Sequence, residues 1–107
     1  MTISEFDNII ATDRLTLVDF YAPWCGPCRA VEPTLDRVAQ CMGDISTIVR
    51  IDTGDREHRA LVRRYNIVSV PTFLLFMRSE LLWRLSGVIS FELLSNILRR
   101  HHAVGEY

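Results

Sequence analysis

The sequence has no lysine: all twelve of its basic residues are arginine, a bias with no physical explanation in the sequence. It also lacks any excess of charge. Thirteen acidic residues bring the formal net charge to −1, so the electrostatic signature of a nucleic-acid or anionic-membrane binder is missing. No basic-led apolar run opens the chain, and no apolar stretch approaches roughly 18 residues. Neither a secretory signal nor a membrane span is therefore expected. Cysteine is scarce: three residues, an odd number, are too few for a disulfide scaffold. A reducing, cytoplasmic setting is the expectation. Gly/Ser linkers, repeats and low-complexity tracts are absent too, so residues 1–107 are expected to form a single domain.

What remains suits a packed core. Of 107 residues, 49% are hydrophobic and 23% charged, a balance that excludes a disordered segment. "SEFDNIIAT" has helical spacing at Phe6, Ile9 and Ile10, with Ser4 as the expected cap. "LTLVDFYA" is apolar and β-branched, as in a strand buried on both faces. A helix is predicted from about Pro27 to Met42, bent at Pro33 and stopped by Gly43. "STIVRID" reads as a second strand, and Asp55 as the cap of a helix running to Tyr65. "TFLLFM" and "LLWRLSG" read as a hairpin, and Ser90 as the cap of a last helix. The order α-β-α-β-α-β-β-α predicts an α/β fold: a central mixed sheet with helices on both faces.

Within that frame stands "YAPWCGPCRAVEP". Two thiols at this spacing can hold a metal, form a structural staple or pass electrons. The pair falls after a buried strand, at the first turn of a helix. There, unpaired N–H groups and the helix dipole favour a thiolate at Cys25. Cys28 lies one turn further in, within bridging reach; Pro27 pre-sets helical φ, and Gly26 leaves room for an approaching backbone. Asp19, an acid in an apolar strand, should have a raised pKa.

"VDFYAPWCGPCRAVEP", with "SVPTF" and Gly87 downstream, closely resembles the thioredoxin family over residues 6 to 100. The resemblance implies a thioredoxin fold and a protein-disulfide reductase in cell redox homeostasis. Cys25 would attack a substrate disulfide and Cys28 would resolve the mixed disulfide. It further implies a proton-accepting Asp19 and a cis Pro71. The Val70 backbone would pair with substrate, and Trp24, Gly26, Pro27, Val70, Gly87 and Val88 would form the contact patch. The resemblance brings no bound cofactor or metal. Electrons would come from NADPH through a thioredoxin reductase, the remaining partners would be disulfide-containing proteins, and the chain would be a monomer.

Three departures from the family pattern stand out. Only Met1 to Ile3 are left for the family's first strand, which is expected to be short or absent. The place of a lysine beside the buried Asp falls on Ile48, leaving Asp19 without a cation. Arg78-Ser79 replaces the usual glycine-rich hairpin turn. Zinc is disfavoured, because Cys41, His58, His101 and His102 lack ligand spacing. Two rival functions fit the same fold: a non-catalytic docking module and a specialised periplasmic thiol oxidoreductase. Cys41 is expected to be a small buried hydrophobe. Arg56, Arg59, Arg63 and Arg64 read as a solvated, acid-paired helix face, and "RRHHAVGEY" as a frayed tail.

Overall fold

The computed structural model describes residues 1–105. Helix α1 (Ile3–Ile10) is capped by Thr2 rather than Ser4. The Thr2 hydroxyl accepts from Glu5 N–H while the Glu5 carboxylate accepts from Thr2 N–H, both at 3.1 Å. This reciprocal box needs Thr and Glu three apart, which "TISE" supplies. Only Met1 precedes the cap, and no strand comes before α1 among the described residues.

Strand β1 (Leu15–Tyr21) is buried along nearly its whole length. Helix α2 (Gly26–Ala30) and helix α3 (Glu32–Met42) follow, separated at Val31. The single bent helix expected here is thus two helices. Pro33 has no N–H and its ring crowds the carbonyl of Arg29, so the first helix ends and Pro33 sits in the opening turn of the second. Strand β2 (Ser46–Asp52) follows, and a 3-10 turn over Arg56–His58, capped by Asp55, leads into α4 (Arg59–Arg64). Strands β3 (Thr72–Met77) and β4 (Glu80–Ser86) form the hairpin. Helix α5 (Phe91–Gly105) has the Ser90 hydroxyl accepting from Leu93 N–H at 3.1 Å. It carries residues 99–105 as ordered helix where a frayed tail was expected; Glu106 and Tyr107 lie outside the described residues.

The hairpin turn places both Arg78 and Ser79 at positive φ, 50° and 67°. Two successive positive φ values match the twist of a two-residue hairpin, a geometry normally given to Asn or Gly. Here Arg78 and Ser79 N–H donate to Thr12 and Ile10 carbonyls, both at 2.9 Å, and offset the strain.

The sheet order is β2-β1-β3-β4, with β1–β2 parallel and the other pairs antiparallel. This is the mixed sheet of a thioredoxin fold. Alternation along β1 sends Leu15 and Leu17 to the face covered by α3 and α5, and Val18 and Phe20 to the face covered by α1 and α4. Burying a side chain such as Phe20 or Leu17 contributes about 2 kcal/mol each. Asp19 continues the Leu15–Leu17 row, so the pleat itself directs a carboxylate into the core.

Candidate active site

Register places the site. Phe20 lies opposite Thr72, and Thr72 lies opposite Ser86. The loop leaving β1, the loop entering β3 and the loop leaving β4 therefore emerge at one end of the sheet. These loops carry Trp24 and Cys25, Val70 and Pro71, and Gly87 and Val88.

Cys25 is the N-cap residue of α2 and Cys28 lies within its first turn. The two are joined by a disulfide, with Cα atoms 5.2 Å apart. Cys25 Sγ accepts the N–H of Cys28 at 3.1 Å. On reduction the same donor faces a thiolate, favouring the charged form at Cys25. Burial distinguishes the two sulfurs: Cys28 is 2% exposed, whereas Cys25 is partly open. A bulky disulfide partner meets Cys25 first. Cys25 N–H donates to Ala22 O and Arg29 Nε to Pro23 O, both at 3.2 Å, fixing the loop that bears Trp24. Gly26 and Pro27 are exposed beside the sulfur, and a Cβ on Gly26 would meet nothing within 4 Å. Space around Gly26 is thus open to an approaching chain.

The Val70–Pro71 peptide is cis, as the resemblance implies. Val70 O lies 3.7 Å from Cys25 Sγ. Pro71 is buried and its carbonyl accepts Gly87 N–H at 2.9 Å, with Gly87 at φ 108°, a conformation costly for any residue with a Cβ. Thr72 Oγ1 donates to Ser69 O at 2.7 Å and lies 2.8 Å from Ser86 Oγ, tying the two loops again. Around these loops apolar surface is left in water: Trp24 is 88% and Val88 57% exposed. The Trp24 ring has almost no packing partner. Sequence reasoning missed Val68, 83% exposed, which with Thr53, Val62 and Ile67 lines a shallow groove of about 320 Å³ running to Val70. A valine in the short loop between α4 and β3 was its only signal.

Asp19 is fully buried. Its Oδ1 has no hydrogen-bond partner and its Oδ2 accepts from Arg50 Nε at 3.0 Å. The expectation of a missing cation is thereby corrected. Register pairs Asp19 with Arg50 and puts Ile48 opposite Leu17. The Arg50 guanidinium also lies 3.6 Å from Glu32 and 4.1 Å from the centre of the Tyr21 ring. Burial pushes the Asp19 carboxyl above its ordinary value, and Arg50 opposes this without cancelling it. A buried carboxyl shifted upward in this way binds a proton more readily than an exposed one.

Cys41 is exposed, not buried as expected. It falls off the α3 stripe of Leu35, Val38 and Met42 that faces the core. Arg56, Arg59, Arg63 and Arg64 are exposed, and Arg64 pairs with Asp7 at 2.6 Å. The described residues contain no group of three or more His, Cys, Asp or Glu placed to hold a metal.

Comparison with known proteins agrees with this geometry. The thioredoxin family model matches residues 1–100. Thioredoxin Y2, chloroplastic, of Arabidopsis thaliana is 39% identical over 89 residues, covering 82% of this chain and 52% of its own. The chain thus spans about half the length of that relative. Thioredoxin 1 of Synechococcus elongatus is 38% identical over 94 residues, 88% of this chain and 86% of that protein. The crystal structure of mitochondrial thioredoxin 3 from Saccharomyces cerevisiae, in its oxidized form, superposes with a TM-score of 0.81 at 26% identity. It covers 92% of this chain and 90% of its own.

Proposed function

The chain belongs to the thioredoxin family, and from that premise we propose that it is a thiol-disulfide oxidoreductase that reduces disulfides in protein substrates. The observation that carries this reading is the asymmetry of the Cys25–Cys28 pair: an accessible sulfur held by a helix-entry N–H, and a buried one within bonding reach.

In the reduced protein, Cys25 thiolate attacks one sulfur of the substrate disulfide. A mixed disulfide forms and the substrate's other sulfur leaves as a thiolate. Cys28, deprotonated with Asp19 as the acceptor, attacks Cys25 Sγ. The second substrate sulfur leaves, and two electrons have passed to the substrate. Val70 O beside Cys25 supports strand-like pairing with an extended substrate segment. Trp24, Pro27 and Val88 offer apolar contact, while Gly26 and Gly87 keep the backbone approachable.

The oxidised pair is recharged by a reductase that draws on NADPH. No cofactor of the chain's own is needed, since the redox group is the cysteine pair. We place the protein in a reducing compartment, the cytoplasm, with the exposed thiol of Cys41 as the supporting observation. Cell fractionation tests this, and enrichment in an organelle such as the chloroplast named for the plant relative would overturn it.

The activity is tested by insulin-disulfide reduction with dithiothreitol. Turnover well above the thiol reagent alone is expected. A rate equal to the reagent alone would reduce the chain to a docking module. Cys28→Ser should accumulate mixed disulfides through Cys25 in a lysate, and equal trapping by Cys25→Ser would reverse the order of attack.

A further inference from the structure

We infer that the outer edge of β2 pairs with the same edge of a second copy of the chain, antiparallel and centred on Val49. Among the described residues, strand β2 borders the sheet and pairs only with β1. In that ladder Leu15 N–H donates to Ile45 O, and Thr53 N–H donates to Tyr21 O. A parallel pairing engages alternate residues, so the odd-numbered residues of β2 direct their main-chain groups at β1. Ser46, Ile48, Arg50 and Asp52 direct theirs outward.

The ends of this outward row are already occupied. Ser46 O accepts from Arg14 Nη2 at 2.9 Å, and Asp52 O accepts from His58 Nδ1 at 2.8 Å. Between them, the N–H and C=O groups of Ile48 and Arg50 have no partner among the described residues. Two of the devices that usually blunt an edge, a proline and a bulge, are missing from this stretch. It contains no proline, its register with β1 is continuous, and its one charged side chain, Arg50, is drawn inward to Asp19.

The open stretch is symmetric about Val49, and that symmetry selects the occupant. In a two-fold pairing centred there, Ile48 of each copy exchanges both main-chain hydrogen bonds with Arg50 of the other. All the open groups are used, and pairing stops where Arg14 and His58 already hold the carbonyls. Centring on Arg50 instead would set two guanidinium groups directly opposite each other. Centring on Ile48 would turn Arg50 toward Ser46, whose carbonyl is engaged. The Val49 register also lays Ile48 of one copy along the Arg50 stem of the other and extends the four-stranded sheet across the axis. Because the open stretch is short, the dimer is weak and the monomer prevails on dilution. The cysteine loops stand at the end of the sheet, not at this edge, so both copies keep their redox site.

Sedimentation of the full chain, with Cys41→Ser and under reducing conditions, tests this over a wide concentration range. The weight-average mass should climb toward twice the monomer value. In Ile48→Pro the outward N–H is gone while the β1 ladder is untouched. That variant should remain monomeric at every concentration, with unchanged far-UV circular dichroism and insulin reduction. Should Ile48→Pro fail to fold, Ile48→Arg sets like charges opposite each other and should weaken association about tenfold. A parent protein that stays monomeric throughout, or association unaffected by a folded Ile48 variant, overturns the proposal.

Discussion

Arg50 Nε meets Asp19 Oδ2 at 3.0 Å across the β1–β2 ladder, joining a fully buried carboxylate to a guanidinium whose side chain is 36% exposed. This places the core's carboxylate one hydrogen bond from solvent. Asp19 is half satisfied, since its second oxygen has no partner.

Asp19 makes stability depend on pH. Its folded pKa lies above the ordinary carboxylate value because burial outweighs Arg50. A raised folded pKa contributes stability that is full below the unfolded value of about 3.8 and is lost as pH rises through the folded value. Asp19→Asn should therefore be more stable than the parent at neutral pH, by about 1–3 kcal/mol, with the difference shrinking in acid. Urea unfolding across pH reads this. The same variant should slow resolution by Cys28, and unchanged mixed-disulfide lifetimes would sink the proton-acceptor role.

Arg50→Gln removes the charge that opposes burial. The Asp19 pKa should climb further, and resolution should fall off at a higher pH than in the parent. A carboxyl-carbon NMR titration follows Asp19 directly. The stability loss should be only about 1 kcal/mol, since Arg50 is partly solvated.

Trp24 separates recognition from folding. With its ring almost entirely in water, Trp24→Ser should leave unfolding free energy within about 0.5 kcal/mol. Insulin-reduction kcat/KM should drop about tenfold, the expected loss of one aromatic anchor. A large stability loss with intact kinetics would refute the assignment.

Cys41 should take up one equivalent of iodoacetamide in the oxidised, folded protein, leaving Cys25 and Cys28 unlabelled. Intact-mass spectrometry counts the adducts. After reduction Cys25 should label next and Cys28 last, in order of exposure.

The fold and the position of the cysteine pair were legible because their signals are local: a buried run, a helix entrance, a hairpin and a distinctive motif. The partner of Asp19 was not. Ile48 and Arg50 lie two apart on β2 and share a face, so alternation cannot tell one register from the other. The turn from Met42 to Ser46 sets that choice, with Arg14 donating to Gly43, Asp44 and Ser46 carbonyls at 2.7, 2.8 and 2.9 Å. Cys41 was misplaced for another reason. The spacing of Leu35, Val38 and Met42 puts it off the buried stripe, and helical phase overrides the usual burial of cysteine. The Thr2 cap, by contrast, is written in the sequence as the capping box of "TISE".

The hydrogen bond from Gly87 N–H to Pro71 O has a consequence for target choice. With Thr72 and Ser86 bracing the same junction, the loops bearing Val70 and Val88 form one stiff jaw at the end of the sheet that carries Cys25. A stiff jaw cannot mould itself around a folded surface, so the bending falls to the target. Under the proposed function, disulfides in segments that fray or detach easily should be reduced fastest, and those locked inside rigid domains should wait until their own host loosens.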